Sequence, residues 1–225
     1  MCARYTLKVG AQTVLDLFEL SSYPDVPVRL NVCPTDSMPV VVQNRIGERE
    51  VRIMRWGLVP SWAKDIKVGT QMINARSETI FEKPSFRSAI DRRRCLIPAD
   101  GFYEWKEIYE EHTDLFGEAK KGKPKKKPYH ITVQTQPLFA FAGIYEKWSN
   151  PADGGLIHTF SVITCPPNRL VETLHDRMPV ILRWEDHGMW LDKKLDDKQA
   201  LVAMMTPYPA EEMKMEPVGP LTGLI

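Results

Sequence analysis

Cys2 follows Met1 directly, so removing Met1 would leave one residue carrying both an α-amine and a thiol. A free α-amine titrates near pKa ~7.7–8.0 and a thiol near ~8.5, so a useful fraction of that amine is neutral at physiological pH, unlike a lysine. Such an amine attacks an aldehyde to give a Schiff base. The adjacent thiol then adds to the imine carbon and closes a five-membered thiazolidine, protecting a linkage that would otherwise hydrolyse. The small side chain at position 2 is compatible with removal of the initiator. Many chains carry a cysteine there without using it, so this residue alone does not establish the chemistry.

The other thiols are Cys33, Cys95 and Cys165. No two cysteines form a C-x-x-C pair, so spacing points to no metal site and to free thiols in a reducing, cytoplasmic setting, nucleoid-associated if the source is bacterial. The N-terminus lacks a charged-then-apolar leader, and no apolar run approaches a membrane span. The net charge is +1 and the pI about 7.7, so any nucleic-acid surface must be local.

The elements that must position these groups read as follows. Residues 11–20 have helical spacing, with Val14, Leu15, Phe18 and Leu20 apolar. Pro24 and Pro27 mark a loop. PVVVQN and EVRIMRWGLVP, separated by a turn at Gly47, predict a hairpin. Residues 76–93 read as mostly helical, interrupted near Pro84. Strands are expected at Cys95–Ile97, Phe102–Trp105 and in YHITVQTQ, LFAFAGIYEKW and HTFSVITCP. Residues 107–128, with six lysines between Lys120 and Lys127, read as a solvated insertion. A helix over 168–175, a short strand MPVIL and a helical region over 184–203 complete the chain. With no repeat, no linker and no βαβ rhythm, the reading is one α+β domain over 1–225 built on antiparallel sheet.

Five segments stand out: MCARY at the start, RWGLVPSWA at 55–63, NARSET at 74–79, RRCLIPADGFYEW at 93–105 and HDRMPVIL at 175–182. In this order and spacing they closely resemble the SRAP (SOS-response-associated peptidase) family, over roughly residues 2–182. The resemblance implies a compact domain with a barrel-like β core and a narrow positive channel, and covalent capture of abasic sites in single-stranded DNA. It implies Cys2 as the thiazolidine-forming residue, with Asn74, Glu104 and His175 completing the catalytic set. A carboxyl such as Glu104 suits proton transfer during opening of the sugar ring. An imidazole such as His175 suits proton shuttling, and an amide such as Asn74 can donate to a sugar or phosphate oxygen without acting as a nucleophile. Taken singly, each has a bland alternative: an exposed strand carboxylate, a helix-end partner, a turn residue.

By the same resemblance Arg4 and Arg76 are expected on phosphates. Pro34, Trp56 and Trp105 are expected against bases, and Arg177 in the same channel. Trp62 fits core packing or base contact equally, and Arg92–Arg94 fit a structural cluster or DNA equally. The implied partner is single-stranded DNA containing abasic sites. No cofactor, metal or membrane is implied, and the chain is expected to act as a monomer. The sequence departs from the family's Cys-Gly-Arg-Phe start with Cys2-Ala3-Arg4-Tyr5, places Cys33 before Pro34 as a second thiol near the channel, and diverges in its PVGPLTGLI ending. Two other functions stay open on the residues: a thiol peptidase or N-terminal-nucleophile hydrolase using Cys2 with His175 or Glu104, including self-removal of Met1, and a non-catalytic single-strand binder. Strand cleavage by β-elimination from the Schiff base is a related branch.

Overall fold

A computed structural model describes residues 2–109, 111–113, 119–121 and 124–221. The first elements are β1 (Tyr5–Leu7), α1 (Ala11–Phe18), β2 (Arg29–Val32), β3 (Ser37–Gln43) and β4 (Arg49–Trp56). Then come β5 (Asn74–Arg76), α2 (Arg87–Arg92), β6 (Arg94–Ala99), β7 (Gly101–Ile108), β8 (Glu111–Thr113), β9 (Ala119–Lys121) and β10 (Lys125–Val133). The rest are β11 (Phe139–Ser149), β12 (Leu156–Cys165), β13 (Met178–Pro179), β14 (Ile181–Leu182), α3 (His187–Leu191), α4 (Lys198–Met204) and β15 (Met213–Pro217).

Two sheets carry the architecture. β12, β4, β3, β6 and β11 pair in turn, and β11 pairs back onto β12, which closes a five-stranded barrel. The seam between β12 and β4 is parallel, and β5 adds to the same edge of β12, also parallel; the other barrel pairings are antiparallel. An antiparallel sheet, β15-β10-β7-β1-β2, packs beside the barrel. The chain passes from β6 in the barrel to β7 in the sheet through Asp100 alone.

Aromatic side chains join the two layers. Tyr5 of the sheet meets Trp56 and Phe141 of the barrel edge-on, at 5.3 and 5.8 Å between centroids. Phe102 meets Phe141 at 6.1 Å, and Trp56 stacks on Phe160 at 6.2 Å. All five rings are fully buried. Edge-to-face pairs of this kind add to the area term, so the seam is well fixed.

The expected helix at 11–20 and the β3–β4 hairpin are present; Glu19, with φ of 54°, ends α1 in the left-handed region. Several readings need correction. Residues 76–93 are helical only at α2 and in a 3-10 turn at Ser77–Thr79, and Arg76 belongs to β5, drawn into parallel pairing with β12. The helix expected over 168–175 is a 3-10 turn at Val171–Thr173, where Asn168 Oδ1 accepts from the amides of Leu170 and Val171. The region 184–203 is broken into a turn, α3 and α4, the last capped by Asp197. The lysine-rich insertion is partly strand: Lys125–Lys127 pair with Ile108–Lys106, and β8 pairs with β9. Of that insertion, residues 110, 114–118 and 122–123 lie outside the described residues. No helix among the described residues is long and apolar enough to cross a membrane.

Trp56 is the test of this seam. Trp56→Ala should lower stability by about 3–5 kcal/mol through cavity formation, read as an earlier urea midpoint. Unchanged stability with weakened DNA affinity would instead return Trp56 to a base-contact role.

Candidate active site

Cys2 lies at the seam, fully buried, with its carbonyl accepting from Asn74 Nδ2 at 2.9 Å and its Sγ 3.8 Å from the Arg4 carbonyl. Asn74 is set by β5: its residue pairs with Val162, so the amide is delivered across the edge of β12. Asn74 Oδ1 is buried with no hydrogen-bond partner among the described residues. Residue 1 lies outside the described residues, and with it the retention or removal of Met1.

Glu104 comes from β7, paired with Tyr129 of β10. Strand alternation puts it on the same face as Phe102, towards the barrel, and only 2% of it is exposed. Burial, reinforced by the nearby Asp176 carboxylate, pushes its carboxyl up to about 7. The Cys2 thiol is pushed far above its ordinary range, first by burial and then by the Glu104 charge, so it stays protonated at neutral pH. A carboxyl near neutrality holds both protonation states in comparable amounts, which suits a group that must both take and give a proton.

His175 follows the Val171–Thr173 turn, its amide bonded to the Val171 carbonyl at 3.0 Å. Its Nδ1 lies 3.0 Å from the Arg177 amide and 2.7 Å from Asp176 Oδ1. The first contact needs Nδ1 as acceptor and the second needs it as donor, so they belong to different protonation states of the ring. Burial lowers the His175 pKa and favours the neutral ring. Cys2, Asn74 and Glu104 therefore converge, and Asp176 brings the His175 loop within electrostatic reach of Glu104.

The expected DNA contacts divide. Trp105, next after Glu104, turns to the opposite face of β7. There it lines an open cleft of about 740 Å³ with Arg4, Asn31, Lys125, Lys126 and Lys127, walled on the far side by Val218, Pro220 and Leu221. Arg4 Nη1 donates to Asn31 Oδ1 at 3.3 Å and contacts Cys33 Sγ. Pro34 is half-buried in a tight turn in which the Asp36 amide returns to the Cys33 carbonyl at 3.1 Å. Thr35 there has φ of 80°, strained for a β-branched residue. Arg76 is exposed at the end of β5.

Two of the expected contact residues are buried. Trp56 is fully buried, with its indole N–H donating to the Ile73 carbonyl at 2.9 Å, and presents no face to a base. Arg177 is 8% exposed, with its Nη groups on Glu78 and the Thr164 carbonyl and its Nε buried with no hydrogen-bond partner among the described residues. Trp62, by contrast, is 64% exposed. Its loop is pinned by Trp148 Nε1 donating to the Ala63 carbonyl at 2.7 Å and by the close approach of Gly57 and Gly69, where a Cβ on Gly57 would sit 2.6 Å from a carbonyl oxygen. Of the basic triplet, Arg93 pairs with Glu146 and Arg94 is buried against carbonyls of Ile90 and Trp190; only Arg92 is exposed. Sequence reasoning missed Asn31, Asp176 and Glu78, although two of them sit inside the NARSET and HDRMPVIL blocks. Among the described residues no group of three or more His, Cys, Asp or Glu could hold a metal ion.

The pKa of Glu104 makes a stability prediction. A carboxyl raised in the folded state stabilises it below the ordinary carboxylate range, and that contribution is lost as pH rises towards 7. Wild type should therefore lose stability relative to Glu104→Gln between pH 5 and 8, by at most about 3 kcal/mol. Urea melts at the two pH values check this; parallel pH dependence of the two proteins would refute the raised pKa.

Residues 1–223 match the model of the family described as SOS response associated peptidase (SRAP). The chain is 40% identical over 229 residues to "Abasic site processing protein YoqW" of Bacillus subtilis (strain 168), covering 98% of this chain and 93% of that protein. It is 33% identical to "Abasic site processing protein HMCES" of Rattus norvegicus, covering 85% of this chain and 60% of that longer protein. A crystal structure of a Bacteroides thetaiotaomicron protein superposes with a TM-score of 0.84 at 28% identity, covering 98% of this chain and 93% of the other.

Proposed function

The chain belongs to the SOS response associated peptidase (SRAP) family, and on that premise we propose that it processes abasic sites in single-stranded DNA by forming a thiazolidine between Cys2 and the opened sugar. The observation that carries the reading is the buried Cys2–Glu104 pair, with Asn74 holding the Cys2 carbonyl at 2.9 Å. An abasic sugar is mostly a closed hemiacetal. Glu104 takes the proton from the anomeric hydroxyl and returns one to the ring oxygen as the ring bond breaks, giving the aldehyde. Hydrolysis of the Met1–Cys2 bond has by then consumed one water and released methionine. The freed amine adds to the aldehyde carbon, and the carbinolamine loses water to give the imine, with His175 relaying protons. Cys2 Sγ adds to the imine carbon while its proton passes to nitrogen. Aldehyde and aminothiol thus yield thiazolidine and one water.

The DNA strand is held, in this reading, by Arg4, Arg76 and Lys125–Lys127 on phosphates and by flat surfaces at Trp105, Pro34 and the exposed Trp62; each stacked base is worth ~1–3 kcal/mol. A missing base lowers the cost of exposing the sugar, so lesion preference needs no base readout. A peptidase acting on other chains is less well supported, because a buried, protonated thiol is a poor nucleophile towards an amide.

Processed protein mixed with an abasic single-stranded oligonucleotide should give an adduct that survives a denaturing gel. Cys2→Ala and the Met1-bearing chain should give none, and Glu104→Gln should react about 10²–10⁴-fold more slowly. Equal, stable adducts from wild type and Cys2→Ala would overturn the assignment.

A further inference from the structure

The site's segments arrive on separate strands, and one ion pair ties them together. β12 ends at Thr164 and Cys165 with β5 on one side and β13 on the other. Asn74 is carried by β5, and His175 and Asp176 immediately precede β13. Arg177 immediately precedes β13 and reaches across the end of β12. Its Nη2 donates to the Thr164 carbonyl at 2.7 Å and to Glu78 Oε2 at 2.8 Å, while Nη1 donates to Glu78 Oε1. Glu78 sits on the 3-10 turn that begins one residue after β5. The fork is bidentate, which fixes direction as well as distance.

We propose that Arg177 and Glu78 are positioning residues, a clamp that sets Asn74 and the His175–Asp176 loop at their working distance from Cys2 and Glu104. The proposal rests on the capture chemistry above and assigns Arg177 a positioning task within the site. Its side chain is 10% exposed, against 45% for Glu78, so the pair runs from the interior to the surface. The pair joins the segments that flank β5 and β13, each of which pairs with β12. Asp176 lies between His175 and Arg177, so loosening the clamp also moves the carboxylate that acts on Glu104.

Glu78→Gln and Arg177→Lys separate this role from DNA contact. Both are made in the processed full chain and given, at saturation, a single-stranded oligonucleotide with one abasic site. The crosslinking rate constant should fall about 10- to 100-fold, the scale of a small misplacement. Affinity for the matching intact oligonucleotide should hold in Arg177→Lys and hold or tighten in Glu78→Gln, which removes a negative charge. The midpoint of the rate's pH dependence should move below that of wild type, because Asp176 no longer raises Glu104; a general loss of stability would not move it. Wild-type crosslinking rates in Glu78→Gln would overturn the clamp, as would weaker intact-DNA binding by Arg177→Lys with its saturated rate unchanged. If Arg177→Lys does not fold, the more exposed Glu78→Gln decides alone. A wild type that forms no adduct defeats the capture reading itself and the clamp with it.

Discussion

Excluding water from one carboxyl and one thiol is the constraint on which the rest of the structure depends. Glu104 and Cys2 occupy the seam between the antiparallel sheet and the closed barrel, where a charge is costly. The cost keeps the thiol protonated and brings the carboxyl near neutrality. Neither effect would survive at the surface. The aromatic contacts of Tyr5, Trp56, Phe102 and Phe141 hold the two layers closed around these groups.

The fold divides the labour by strand alternation. Along β7, Glu104 faces inward to the reacting centre and Trp105 faces outward to the basic cleft. On β5, Asn74 and Arg76 lie two residues apart on one face, Asn74 bonded to the Cys2 carbonyl and Arg76 exposed. β7 thus sets a buried carboxyl and a cleft-lining indole on adjacent residues. The cleft gathers cations from Arg4 and from Lys125–Lys127, which explains how a chain of net charge +1 can present a local positive surface.

Much of this was legible in the sequence, and the exceptions have physical causes. Periodicity identified α1, the β3–β4 hairpin and the long strands, because their burial patterns are strong. It missed β1 and β2, which have only 3 and 4 residues, and β15, which carries charges. It gave no strand at Asn74–Arg76 and started a helix at Arg76, because β5 exists only through pairing with β12, a tertiary event that local pattern does not register. The candidate site was visible as motifs, but motif membership did not distinguish inward from outward. Trp56 and Arg177 lie in the same blocks as site residues yet are buried by ring packing and an ion pair. Trp62, undecided by sequence, proves exposed because its loop is pinned from below by Trp148.

The account stands or falls on a bond between the chain's second residue and a sugar carbon. Intact-mass and peptide-level mass spectrometry of the adduct with an abasic oligonucleotide tests it most directly. The expected mass is that of the chain without Met1 plus the oligonucleotide, less one water, with both the nitrogen and the sulfur of Cys2 blocked. An adduct carried by a lysine, by a chain that retains Met1, or by a Cys2 whose thiol still alkylates would contradict it.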